Sequence, residues 1–314
     1  MKSSKDMLRE STEHAEDIIA KRYVPFWLFR MFRAQKKAVL WCGSMAKYIS
    51  GCLFLTLAFA VTVVGLIVLL PSRHARIKFC NHFGTVFGSF NVWLSGSSLT
   101  CSGTEHLDKN KPAVYIVNHA SVMDLFITMW KTPTGTCSVG KKQVIYYPLF
   151  GILYLLSGHL IIDRGNNKKA VASMKKMSFL VKKYGLSAII FAEGTRSKNG
   201  RLGKFKKGFV HMAIQTGLPV VPIILTGTHR AWQARSTTIG KTDMGMHVLP
   251  PVDTSAWTKE RSNEIVAEME DLYNENLPVD QQRLPQNAEP EHMVIQADWM
   301  QTGDDDDDLK ANTA

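Results

Sequence analysis

Residues Ala113–Asp124 read Ala-Val-Tyr-Ile-Val-Asn-His-Ala-Ser-Val-Met-Asp. The first five are apolar and strand-like, a polar loop follows, and a helix-like stretch then runs to Trp130. The same alternation continues downstream. Lys168–Lys183 reads as a helix with lysine pairs 168/169, 175/176 and 182/183 outward and Val171, Met174, Phe179 and Leu180 available inward. Ser187–Ala192 is strand-like, Gly208–Gln215 is a short helix, and Val220–Leu225 is another strand. Pro222 inside that strand predicts a sheet edge or a bulge. Trp257–Asn276 reads as a charged amphipathic helix. Strands alternating with helices predict an α/β domain.

Upstream the character changes. Ile49–Leu70 is an uncharged run of 22 residues closed by Pro71 and flanked by Lys47 and Arg73. At about 1.5 Å per residue such a run spans a hydrocarbon core about 30 Å thick. It begins too far into the chain, behind too long a polar stretch, for a signal peptide. Ahead of it, Pro25–Lys47 mixes Phe26, Trp27, Phe29, Phe32 and Trp41 with Arg30, Arg33, Lys36 and Lys37. That mixture suits a helix lying in the headgroup layer, and equally an amphipathic helix packed on a core. Basic residues flank the apolar run on both sides, so they do not fix its orientation; a span is expected, with a two-helix hairpin that dips in without crossing and a buried soluble helix as the alternatives. A second apolar run, Val144–Ile162, is interrupted by Pro148, Gly151, Gly158 and His159, and reads as a buried or membrane-apposed element. The chain thus divides into a polar segment 1–23, an interfacial helix plus a membrane-embedded helix over 24–72, one domain over 73–280, and an acidic tail over 281–314 read as disordered.

The 314 residues carry 38 Lys and Arg against 27 Asp and Glu, a net charge of +11. The excess is local: Lys141–Lys207 holds 15 basic residues against Asp163 and Glu193 alone. Such a field suits a nucleic acid, an anionic membrane or a phosphorylated substrate. No nucleic-acid-binding module is recognisable and that partner leaves the apolar run unexplained, so no nucleic acid is expected. The five cysteines are scattered, with no C-x-x-C and no paired His/Cys spacing, so neither a zinc site nor a disulfide framework is expected. Their odd number favours a reducing compartment.

Three clusters at strand ends carry the chemistry. In Asn118-His119-Ala120-Ser121-Val122-Met123-Asp124, His119 and Asp124 would be about 140° apart on one regular helix. They meet only if His119 lies in the loop and the helix starts near Ser121. Asp124 then either caps that helix, as in a capping box, or also orients the imidazole so that its other nitrogen serves as general base. The second cluster, Phe191-Ala192-Glu193-Gly194-Thr195-Arg196-Ser197, combines a turn glycine, hydroxyls and a guanidinium fork suited to phosphate. The third ends in Ile162-Asp163-Arg164. There is no G-x-S-x-G elbow and no H-E-x-x-H; Gly135–Lys142 approaches a P-loop but places Lys142 where a Mg²⁺-binding hydroxyl is needed.

Asn118-His119 with Asp124 resembles the NHxxxxD motif of the PlsC-like glycerolipid acyltransferases, which include the 1-acylglycerol-3-phosphate acyltransferases. Glu193–Ser197 resembles their FPEGTRS motif, with Ala192 in place of the usual Pro. Ile162-Asp163-Arg164 and Leu218-Pro219-Val220-Val221-Pro222-Ile223 match two further motifs, and all four fall in the family's order within 113–251. The resemblance implies a single domain with a mixed sheet flanked by helices, behind N-terminal membrane helices. It implies acyl transfer from acyl-CoA or acyl carrier protein to a lysophospholipid hydroxyl, with 1-acylglycerol 3-phosphate the first expectation and glycerol 3-phosphate or another lysophospholipid the alternative. No cofactor or metal is implied. In that frame His119 is the base and Asp124 its orienting partner. Glu193, Gly194, Thr195, Arg196, Arg164 and Lys141 would hold the substrate phosphate, and Asn118, Asp163 and Pro222 would support the motifs. An anionic membrane surface is the expected partner, with the catalytic domain on the cytoplasmic face.

Overall fold

The computed structural model describes residues 53, 56–146, 150–162, 167–232 and 239–284. Its strands are β1 (Ser98–Ser102), β2 (Val114–Val117), β3 (Thr136–Lys141), β4 (Leu160–Ile162), β5 (Ser187–Phe191), β6 (Val220–Thr226) and β7 (Asp243–Val248). They form a seven-stranded sheet in the order β1-β7-β6-β2-β5-β3-β4. β2 sits inside it, parallel to both β5 and β6 (Tyr115 faces Ile189 on one side and Val221 on the other). β3 and β4 extend the parallel set, whereas β7 runs antiparallel to β6 and carries β1 parallel to itself. The sheet is therefore mixed.

Helices cover both faces, and the period-two alternation of β2 decides which residue meets which layer. Val114 and Ile116 join a core with Met177, Leu180 and Val181 of α4 (Asn167–Tyr184). Phe209 and Met212 of α5 (Gly208–Thr216), with Ile265 and Tyr273 of α7 (Ser262–Asn276), which follows the short α6 (Thr228–Ala231), complete that layer. Tyr115 and Val117 join the opposite core with Val92 of α1 (Arg73–Leu94) and with Met123 and Ile127 of α2 (Met123–Lys131). All four residues of β2 are buried, as expected for a strand covered on both sides.

Several expectations are corrected here. The inward stripe of α4 is Met174, Met177, Leu180 and Val181, while Val171 and Phe179 are exposed. Phe179 lies about 140° round the helix from Met174, among the exposed Lys175, Lys176, Lys182 and Lys183; Val171 lies a turn before the packed residues begin. Pro222 is in an interior strand rather than at an edge, and the bulge is what accommodates it. Between Val220 and Ile223 β6 advances three residues, while the facing chain takes four, from Val252 to Val248. The extra residue lies opposite Pro222, whose carbonyl accepts the Leu249 N–H at 2.9 Å. The near-P-loop Gly135–Lys142 is mostly β3, and Val144–Ile162 resolves into a short 3₁₀ turn, α3 (Phe150–Leu156) and β4.

The stretch Pro25–Lys47, expected as an interfacial helix, and the tail beyond residue 284 lie outside the described residues. Of the apolar run, residues 56–68 are helical, with Val64, Ile67 and Val68 exposed and Leu66 buried. Among the described residues no helix is long and apolar enough to cross a membrane.

Candidate active site

Because β2, β3, β4, β5 and β6 run parallel, their carboxyl ends share one edge of the sheet, where open α/β sheets form clefts. Asn118 and His119 follow β2, the segment 192–197 follows β5, and Lys141 ends β3.

His119 lies in the loop and Asp124 in the first turn of α2, and the two meet. Asp124 Oδ2 accepts from His119 Nδ1 at 2.9 Å and from the main-chain N–H groups of Ala120 and Ser121, each at 2.7 Å. An oxygen already receiving two N–H groups acts as an acceptor, so Nδ1 carries the proton and Nε2 keeps its lone pair. Both readings of Asp124 hold together: the carboxylate closes the helix start and orients the ring. Its place at a helix N-terminus adds a favourable dipole interaction. Asp124 is 0 % exposed and His119 9 %. The Phe191 ring stacks on the imidazole at 4.1 Å between centroids, which fixes its plane. Ser121 Oγ accepts the Met123 N–H at 3.1 Å and donates to the Trp232 carbonyl at 2.7 Å.

Asn118 has a mechanical role. Its amide donates to the Leu225 carbonyl at 2.9 Å and accepts the Leu225 N–H at 2.8 Å, so the side chain continues the β2–β6 ladder one step past the strand. Pro222 faces Ile116 in the same ladder. Tyr273, far along the sequence on α7, donates its hydroxyl to the Ile116 carbonyl at 2.6 Å and locks the same strand end.

Glu193 departs from its expected grouping with the phosphate ligands. Its buried carboxylate turns inward, accepting the His119 N–H on Oε1 at 2.7 Å and the Gly203 N–H on Oε2 at 2.9 Å. Both of its oxygens are taken up by main-chain N–H groups. Burial raises its pKa to about 7, against the pull of those two N–H groups; Asp124 pushes it further up and Arg283 pulls it down. Ser197 donates its N–H to the His119 carbonyl at 2.7 Å, so the 193–197 segment grips the His119 residue at both its N–H and its C=O. Gly194 turns the chain at φ +72°, a left-handed conformation that favours glycine. Thr195 and Arg196 are exposed just beyond it, and Lys141 is exposed at the end of β3. Asp163 and Arg164 lie outside the described residues. Among the described residues no group of three or more His, Cys, Asp or Glu is placed to hold a metal ion.

Sequence reasoning names Phe191 in the second cluster without giving it a role, and gives none to Gly203 or Tyr273. Gly203 and Tyr273 act through contacts with residues 10 and 157 positions away, for which no local pattern exists.

The acyltransferase family model matches residues 98–226. Over 219 residues the chain is 45 % identical to a 1-acyl-sn-glycerol-3-phosphate acyltransferase of Cocos nucifera, covering 70 % of each protein. Over 240 residues it is 42 % identical to the enzyme of that name from Limnanthes douglasii, covering 74 % of this chain and 85 % of that one. The Escherichia coli enzyme of the same name is 32 % identical over 195 residues. The crystal structure of the 1-acyl-sn-glycerophosphate acyltransferase PlsC from Thermotoga maritima superposes with a TM-score of 0.57 at 24 % identity, covering 71 % of this chain and 93 % of that one, a likeness of fold.

Proposed function

This chain belongs to the PlsC-like glycerolipid acyltransferase family, and from that premise we propose that it acylates the free hydroxyl of 1-acylglycerol 3-phosphate to give phosphatidic acid. The donor in this reading is acyl-CoA or acyl-acyl carrier protein. The observation that carries it is the His119–Asp124 pair at 2.9 Å, with Nε2 as the free ring nitrogen.

The chemistry follows from that geometry. Nε2 takes the proton of the acceptor hydroxyl as its oxygen attacks the thioester carbonyl. The C–O bond forms, the tetrahedral intermediate collapses, the C–S bond breaks, and the imidazolium returns its proton to the leaving thiolate. Asp124 stabilises the imidazolium formed between these steps. Such a base contributes roughly 10²–10⁴-fold. The acceptor oxygen is itself the nucleophile, so no acyl-enzyme is formed. Thr195 and Arg196 beyond the turn, with Gly194 allowing close approach, hold the acceptor phosphate together with Lys141 and Arg164. Charge-assisted bonds of this kind contribute about 1.5–3 kcal/mol each.

Both lipids are amphiphiles, so the domain works at a membrane surface. The apolar run 49–70 with its basic flanks supports attachment, and the basic 141–207 stretch supports an anionic surface. The odd cysteine count supports a cytoplasmic placement of the domain. The test is to offer the purified full chain labelled acyl-CoA and acyl-acyl carrier protein with a panel of lysolipids and glycerol 3-phosphate, and to identify the product by mass. Phosphatidic acid from lysophosphatidic acid is the expected product; turnover confined to another acceptor would overturn the assignment.

A further inference from the structure

Arg283 lies beyond α7 and outside every motif that brought the acyltransferase site to notice. Its guanidinium nonetheless bridges two elements. Nη1 donates to Glu270 Oε2 on α7 at 2.7 Å, and Nη2 donates to the Gly203 carbonyl at 2.6 Å. Its own main-chain N–H donates to Asn274 Oδ1 at 2.7 Å, which fixes where the fork starts. The other oxygen of Glu270 accepts the Phe205 N–H at 2.6 Å. Residues 203–205 thus hang from one ion pair by two main-chain bonds.

That stretch has no regular secondary structure of its own, so no ladder holds it in place. Yet it supplies the Gly203 N–H, one of the two donors that decide where the Glu193 carboxylate sits. The second donor is the N–H of His119. Contact is close: a Cβ at Gly203 would stand 2.5 Å from Glu193 Oε2, so a side chain there would push the carboxylate aside. A continuous path therefore runs Arg283–Gly203–Glu193–His119, with Glu270 anchoring its far end to a helix packed in the core.

From this path we infer that Arg283 and Glu270 are positioning residues for acyl transfer: they set the 203–205 loop, which sets the carboxylate that holds the main chain of His119. The inference rests on the acyl-transfer reading of His119, and it touches neither substrate directly. Misplacing a general base by a fraction of an ångström lowers the rate of the chemical step without weakening substrate binding. A residue that only stabilised the fold would lower the melting temperature and leave the turnover of folded protein alone.

The test compares R283A, R283K, E270Q, E193Q and the double variant R283A/E193Q in the full chain, measuring kcat, KM for both substrates, and hydrogen exchange of the segment containing His119. In R283A, kcat should fall about 10-fold or more with each KM within about 2-fold of wild type. Exchange at His119 should quicken, and R283A should add little to the loss already caused by E193Q, because both break one path. R283K keeps a charge but cannot span Glu270 and Gly203 together, so it should restore kcat only in part. Unchanged kcat and exchange in folded R283A, or losses that simply multiply with those of E193Q, would overturn the inference. Should R283A fail to fold, R283K and E270Q, each leaving part of the bridge, decide the matter by the same two readouts. If the wild-type chain transfers no acyl group, the functional reading fails, whereas the exchange measurement still reports on the path.

Discussion

Asp124 performs two tasks through one oxygen, and substitution separates them. H119A removes the imidazole proposed as the base but leaves the Ala120 and Ser121 N–H groups bonded to Asp124. It should abolish turnover with little change in melting temperature. D124A also strands those two buried donors at the start of α2, which costs about 1–2 kcal/mol for the lost cap, so it should lose both turnover and stability. Equal melting temperatures for the two variants would show that the carboxylate does not cap the helix. Glu193 yields a second prediction. Its pKa lies near 7 because burial disfavours the charged form, so the folded state favours the protonated acid. The resulting stability is fully present below the ordinary carboxylate range and is lost as pH rises through about 7. Gln at this position does not titrate. Chemical denaturation should show wild type losing stability relative to E193Q between about pH 5 and pH 8; parallel curves would place the ionisation elsewhere.

The approach of α1 to α2 decides how firmly the site's helix is seated. A Cβ at Gly84 would meet Met129 of α2 in ordinary contact, whereas one at Gly88 would overlap the Phe126 carbonyl. Glycine there is a matter of space, because the helix backbone itself would accept alanine gladly. G88A should therefore destabilise by about 1–3 kcal/mol through overpacking, against the gain in helix propensity. Thermal unfolding should fall by a few degrees for a domain of this size; a rise would mean that α1 can slide outward freely. Elements differed in how visible they were. β2 and β5 were legible because their apolar runs end on turn residues that also carry chemistry. β1 and β7 were not: residues 98–102 alternate exposed and half-buried positions with Ser, Thr and Cys, which a loop also allows. They become strands because Ser98 pairs with Asp243 and Ser102 with His247, contacts 145 positions apart in the chain.

Across the whole molecule the net charge of +11 separates into parts with different consequences. Attachment through the basic 141–207 surface would be screened in strong salt, where the Debye length falls to about 3 Å, whereas burial of the apolar run would not. Full-length protein floated with vesicles of phosphatidylcholine and phosphatidic acid should stay bound in 1 M NaCl; release by salt alone would mean that residues 49–70 do not enter the bilayer. The sequence by itself determined the α/β alternation and the four motifs and set His119 five residues before Asp124, because each is a local pattern of a few residues whose physics is complete within a turn or a strand; that the two side chains meet was decided by the fold. Tertiary structure alone decided that β2 lies inside a mixed sheet, that Pro222 sits opposite a bulge, and that Glu193 turns inward to hold the main chain of His119. Those outcomes depend on donors and acceptors supplied by Gly203, Leu225, Leu249 and Tyr273, and folding brings such groups together from positions that no local periodicity connects.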